Sequence, residues 1–291
     1  MSAAPTRDVE PRPPRTRTRP QRQRAPLGAL LLLLLLLAAV AVSLAVGART
    51  ISPGAVLAAL LDPAGGASAD TATVVVHELR VPRTIIGLLA GLALGMAGVV
   101  MQGVTRNPVA DPGLLGVNAG AAFAVVLGIS LAGVTAPLGL AGFALLGSLG
   151  AAVLIGAIAS SARVGSSPAV LVVAGAAVTA GLTSTTTLVL LGDPAALDRY
   201  RFWTVGSLTG RDVEMAATLA PLLALGTITA LSLSRALDAL ALGDDVARGL
   251  GFRLLPTRAA AMAAIVLLCA TATALAGPLV FVGLLGAHGA R

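Results

Sequence analysis

Long uncharged apolar runs alternate with short breaks rich in Gly, Pro and Arg, and that alternation leaves few folds open to this chain. From Leu27 to Val46 the only polar side chain is Ser43. About 20 such residues in a helix cross a bilayer. The run also exceeds the roughly 7–15-residue apolar core of a cleavable signal peptide, so it reads as an uncleaved first span. Further spans are expected at about 84–104, 114–132, 137–159, 169–191, 215–233 and 259–276. A last apolar piece, Pro278 to Leu285, is too short to cross. The expected class is all-α, a polytopic helical membrane protein.

Composition closes the soluble alternative. Charged residues are 11% and hydrophobic residues 56% of 291, against about 25% charged in a soluble domain. The 34 glycines sit inside apolar runs, where small residues let membrane helices approach closely. All 20 basic residues are arginine. Without lysine the chain has neither a phosphate-binding Gly-Lys loop nor a Schiff-base nucleophile. A lone Cys269 and two distant histidines, His77 and His288, offer no zinc ligand set. No catalytic residue, metal site or cofactor of its own is expected, and the chain reads as a non-enzyme. Few ionisable groups lie within the spans, which also speaks against a membrane enzyme.

Residues 1–25 carry seven arginines against Asp8 and Glu10, which is +5 of the net +7. Rich in Pro and Thr and without apolar period, they read as a disordered basic tail. Because the tail abuts a span, it is taken as a cytoplasmic anchor near anionic headgroups, not a nucleic-acid-binding segment. Alternating the loops from there puts 14 arginines inside and six outside, as the positive-inside rule requires of a cytoplasmic amino terminus. Residues 49–83 then form an external loop with a short amphipathic helix. Tyr200 and Trp203, the only Tyr and Trp, fall at an interface, as aromatic-belt residues do.

Two spans carry patterns of their own. Gly87, Gly91 and Gly95 are four apart, a doubled Gly-x-x-x-Gly that suits close helix packing, so the 84–104 span is expected inside the bundle. Thr179, Thr183, Thr186 and Thr187 share one helical face. They read either as the polar wall of a translocation path or as hydroxyls bonded to their own backbone.

Several ordered strings resemble one family, the membrane permeases of ABC importers for iron-siderophores, haem and vitamin B12. They are Arg80-Val81-Pro82-Arg83, Arg106-Asn107-Pro108-Val109-Ala110-Asp111-Pro112, Trp203-x-x-Gly206-Ser207-Leu208, Leu242-Gly243-Asp244-Asp245-Val246-Ala247-Arg248-Gly249-Leu250-Gly251 and Gly277-Pro278-Leu279-Val280-Phe281-Val282-Gly283-Leu284. The resemblance implies a permease in the cell membrane that pairs with a second permease subunit, identical or not. Two ATPase subunits below would hold ATP and Mg, and an external substrate-binding protein would deliver a ligand, most readily a ferric siderophore. It implies that Arg80 and Arg83 dock the binding protein. It implies that Leu242, Gly243, Asp244, Asp245, Ala247, Leu250 and Gly251 form the loop that couples to the ATPase, with Asp244 where the family has Glu and free to pair with a basic partner residue.

The family has ten helices. Here the likeness ends at Ala287-His288-Gly289-Ala290-Arg291, with Ala287 replacing the proline of Pro-His-x-x-Arg. Seven complete spans and part of an eighth are therefore expected in a permease domain over 26–291. Three readings stay open: a siderophore permease, a haem or cobalamin permease, and a truncated, non-transporting remnant.

Overall fold

Proline opens several helices of this chain, and left-handed Arg106 and Gly116 close two helical segments. The computed structural model describes residues 25–47, 50–61, 71–161, 168–208, 210 and 212–289, so the basic tail lies outside the described residues. Two compact units divide at Ile51 and Ser52. The first holds α1 (Ala25–Ala45), apolar on all faces, as a helix in lipid would be.

The second unit begins with the short α2 (Pro53–Leu61). A continuous 35-residue helical rod, Thr71–Thr105, follows. It comprises α3 (Thr71–Val74), a π-helical segment (Val75–Arg80) and α4 (Val81–Thr105). Pro82 stands inside the rod, at the junction of the π segment and α4, where it lacks the N–H that would bond back along the helix, and Arg106 caps the end of α4 in the left-handed region at φ 52°. A 3₁₀ turn (Pro112–Leu115) leads through left-handed Gly116 into α5 (Val117–Ser130). Then come α6 (Pro137–Ser161), α7 (Pro168–Gly192), α8 (Pro194–Thr204) and α9 (Val213–Ser232), which carries Pro221 in its interior. Two short helices, α10 (Ser234–Ala241) and α11 (Asp244–Gly249), precede α12 (Leu254–Ala276) and α13 (Val282–Gly289).

Six described helices are long and apolar enough to cross a membrane. The span expected at 114–132 is shorter: α5 has 14 residues, about 21 Å of helix. The stretch before it makes up the depth. Pro112 packs beside Gly283, which itself lies against the Leu94 carbonyl in the middle of α4. The chain thus turns back into the bundle before α5 begins. Irregular backbone at that depth is tolerated because protein surrounds it and Asp111 satisfies it, accepting from the Gly113 N–H at 2.7 Å.

The 49–83 stretch also differs from the expected loop. Helix resumes at Thr71, and His77 bonds the Ala59 carbonyl at 2.9 Å to hold α2 against the π segment. The charges of Glu78 and Arg80 look like loop in sequence, yet they lie on a helix.

α12 is the most buried span and α4 the next, so the glycine-rich span lies inside the bundle as expected. Ala90, Ala93 and Ala97 of α4 form its core face with Ala261, Ala264, Ile265 and Leu268 of α12. Two polar bonds brace this interior: Ser148 Oγ donates to the Val117 carbonyl at 3.1 Å, and Thr273 Oγ1 to Asn118 Oδ1 at 3.1 Å.

Candidate functional site

Contacts sort the breaks of the second unit to opposite ends. Arg106 reaches Leu240 and Asp244, which joins the end of α4 to the α10–α11 loop. At the other end Gly87 meets Leu208, Gly206 approaches the Ala276 carbonyl, and Ser130 Oγ donates to Asp193 Oδ2 at 2.9 Å. Arg80, Arg83, Arg199 and Arg201 lie toward that second end. Arg106, Arg235, Arg248, Arg253 and Arg258 lie toward the first.

The 242–251 loop is built on two glycines. Gly243 at φ 121° separates α10 from α11, and Gly251 at φ 86° releases the chain toward α12; both angles favour glycine over any residue with a Cβ. Ala247 is fully buried and packs with Ala239 and Leu240, bordered by Phe252 and Leu254. The opposite side is open. Leu242, Val246 and Leu250 are 70%, 45% and 61% exposed; the Leu250 N–H bonds the Val246 carbonyl at 3.0 Å, which puts those two on one face of α11, while Leu242 stands across the Gly243 turn. Asp245 pairs on the surface with Arg248 at 2.8 Å.

Asp244 was expected to await a basic residue of a partner; the structure occupies it within the chain. Its Oδ1 accepts from Arg106, and Arg258 donates to Oδ1 at 3.0 Å and Oδ2 at 2.9 Å. Partial burial pushes this carboxyl upward, but the Arg106 hydrogen bond and the Arg258 charge outweigh it and hold it below the ordinary aspartate value. Neither arginine figured in the coupling loop read from sequence. Arg106 stands 138 residues away, and its local marks, a place just after an apolar helix and the head of the Arg106–Pro112 string, say nothing of the loop.

The two arginines of the other end are not equivalent. Arg80 keeps 4% of its surface, whereas Arg83 is half-buried, and both are engaged in contacts within the chain. Two exposed cations were expected there; Arg83 alone offers surface.

Thr186 is buried and donates to the Leu182 carbonyl at 2.7 Å. Thr187 donates to the Thr183 carbonyl at 3.0 Å, and both of these residues are exposed. Thr179 is half-buried beside Gly116. The hydroxyls of Thr186 and Thr187 are thus satisfied by their own helix.

Of the glycine series, Gly87 meets Leu208, and a Cβ on Gly91 or Gly95 would meet nothing within 4 Å. Gly87 and Gly91 border a cavity of about 170 Å³ with Gly206, Ser207 and Leu279. The closest crossing of α4 falls one turn further on, where a Cβ on Gly98 would stand 2.1 Å from the Gly283 carbonyl oxygen. A larger, apolar cavity of about 570 Å³ lies between α4, α6, α7 and α12 near the Arg106 end, with Arg258 and Thr105 on its wall.

Residues 34–291 match the FecCD transport family. The chain is 44% identical over 250 residues to the ferric enterobactin transport system permease protein FepD of Escherichia coli (strain K12), covering 86% of this chain and 73% of that one. It is 35% identical to the iron(3+)-hydroxamate import system permease protein FhuB of Bacillus subtilis (strain 168), covering 74% and 56%. It is 34% identical to the cobalamin import system permease protein BtuC of Halobacterium salinarum (strain ATCC 700922 / JCM 11081 / NRC-1), covering 76% and 60%. The chain thus spans about three quarters of FepD and less than two thirds of the other two. A solved structure described as a metal-chelate type ABC transporter in an inward-facing conformation superposes with a TM-score of 0.73 at 25% identity, covering 89% of this chain and 79% of that one.

Proposed function

The chain belongs to the FecCD transport family, and from that premise we propose that it is the membrane permease subunit of an ABC importer that carries a ferric siderophore inward. The observation that carries this reading is the exposure of Leu242, Val246 and Leu250 on an ordered loop at the arginine-rich end. Exposed apolar side chains gathered on a polar loop call for a protein partner. A chain without lysine has no phosphate-binding loop of its own, so that partner is the ATPase. It holds the ATP and Mg, and the permease supplies no catalytic group.

The arginine count supports a cytoplasmic amino terminus in a multi-pass cell-membrane protein, with the α10–α11 loop on the same side. Arg83 then faces outward beside the buried Arg80 and meets the acidic face of an external binding protein. A second permease subunit and two ATPase subunits complete the importer. The exposed Thr183 and Thr187 face of α7 is its share of the path, with Thr179 and Thr186 behind. The likeness to a cobalamin permease keeps that ligand as a second reading.

The test is reconstitution in vesicles with the ATPase and binding protein of a FecCD-type importer, followed by uptake of radiolabelled ferric enterobactin and of cobalamin. ATP-dependent accumulation of iron is expected, and Leu250→Asp should abolish ATPase recruitment. Accumulation of cobalamin alone would overturn the siderophore assignment. An assembled complex that moves neither ligand would overturn transport by this chain.

A further inference from the structure

The ATPase-facing loop touches the bundle through one polar junction, and that junction has a specific construction. Arg106 Nε donates to the Leu240 carbonyl at 2.6 Å while its terminal nitrogen holds Asp244. One side chain therefore grips the last turn of α10 and the first residue of α11, on both sides of the Gly243 turn. From the other side Arg258, in the second turn of α12, binds both oxygens of Asp244. The carboxylate is thus shared by the end of α4 and the start of α12, the two most buried spans.

The backbone at Arg106 adds an independent mark. A left-handed conformation at a helix end is ordinarily given to glycine; Arg106 adopts it at φ 52°. Such a residue persists where its surroundings over-determine it. Here the position needs a long cation more than it needs a relaxed backbone. The loop's outward face, Leu242, Val246 and Leu250, takes no part in the junction.

We propose that Arg106, Asp244 and Arg258 form a clasp that transmits movement of the 242–251 loop to α4 and α12, with Asp244 acting as a positioning residue and not as an ATPase contact. The transmission half rests on the permease reading above; the clasp itself does not. Contact and transmission thereby fall on opposite faces of one loop: an apolar face that recruits and an ionic face that relays.

Three variants separate these roles. Asp244→Asn removes the charge. Arg106→Gly removes the grip while relaxing the left-handed backbone, so misfolding does not follow from it. Asp244→Glu keeps a carboxylate within reach of both arginines. Trypsin cuts this lysine-free chain only after arginine; Arg248 lies within the loop and Arg253 just past its end. In the detergent-purified chain, cleavage at those two sites should accelerate about tenfold in Asp244→Asn, which loses both weak pairs, and severalfold in Arg106→Gly, which loses one pair and the Leu240 bond, and stay at the wild-type rate in Asp244→Glu. With the ATPase present, all three should co-purify as wild type does. Ligand-stimulated hydrolysis should fall toward the unstimulated rate in the first two and recover in Asp244→Glu. Unchanged cleavage in Asp244→Asn and Arg106→Gly would overturn the clasp. Loss of ATPase binding in Asp244→Asn would make Asp244 a direct contact and overturn the division of roles. Failure of the wild-type chain to recruit any ATPase would sink the permease reading and the relay with it, while the cleavage rates still decide the clasp.

Discussion

Placing a methyl group on Gly98 tests how α4 and α13 hold together. An added Cβ would sit 2.1 Å from the Gly283 carbonyl oxygen and 2.6 Å from its carbon, where ordinary contact between unbonded atoms needs about 3.5 Å. The clash is with backbone, so no side-chain rotation relieves it; α13 must withdraw by roughly 1 Å or more. Gly91→Ala makes the same chemical change on the same helix, yet its methyl would meet nothing within 4 Å. Both variants gain the same helix preference of alanine over glycine, about 1 kcal/mol. That contribution cancels in their difference, leaving the overpacking cost of about 1–3 kcal/mol. For a chain of this size each kcal/mol moves the melting temperature by about 2–4 °C. Gly98→Ala should therefore melt about 3–10 °C below Gly91→Ala. Cys269 supplies the readout, because it is the only cysteine and is buried in α12. A thiol-reactive dye reports its exposure as purified protein is heated. Equal midpoints for the two variants would refute the Gly98–Gly283 crossing.

Two further outcomes follow from the far end of the bundle. Arg83→Glu should slow association with an acidic binding protein, most visibly at low salt, because an exposed pair is worth only about 0.2–1 kcal/mol and acts chiefly on encounter; Arg80→Glu, reversing a buried charge, should instead lower the melting temperature. Equal binding by Arg83→Glu and wild type at low ionic strength would remove Arg83 from the docking surface. Asp193 caps α8 by accepting from the Ala196 N–H at 3.0 Å, and that bond with the Ser130 hydroxyl holds its carboxyl below the ordinary aspartate value. A lowered folded value stabilises above the unfolded value and is lost as pH falls through the folded one, so the cap should persist from about pH 7 to about pH 5. Hydrogen exchange over Pro194–Thr204, corrected for intrinsic rates, should be flat across that range and rise in Asp193→Ala; acceleration in the wild type by pH 5 would contradict the lowered value.

The long spans are legible in sequence because a twenty-residue apolar run has one good solution in lipid. Where structure depends on a single backbone angle or a remote partner, composition is silent. The apolar run 114–132 continues through Gly116 without a change of character, so nothing in it marks the shift from the 3₁₀ turn to α5. Glu78, Arg80 and Arg83 look like loop because charge is avoided in spans, yet they continue a helix that began at Thr71. Glycine spacing points to α4 as an inner helix but not to Gly98 as its closest crossing, since Gly283 lies far along the chain. Asp244 reads as a free carboxylate until the fold brings Arg106 and Arg258 to it.

These features meet on one helix. Thr71–Thr105 runs 35 residues without a break, about 52 Å at 1.5 Å per residue. Its far end is fixed by Arg106 to the α10–α11 loop, and its middle is wedged against α12 through Ala90, Ala93 and Ala97 and against α13 at Gly98. Close-packed contacts of this kind shift as units and do not stretch. Within the rod the hydrogen-bond pattern changes at Val75–Arg80, and a π segment is a recognised site of helix bending. On the relay proposed above, a displacement entering at Arg106 would meet its first change of hydrogen-bond pattern at the π segment. Arg83 lies on the rigid side of that segment and Arg80 at its edge. On that relay the half-buried Arg83 would move with the helix that the clasp holds, and the buried Arg80 would mark where the helix bends.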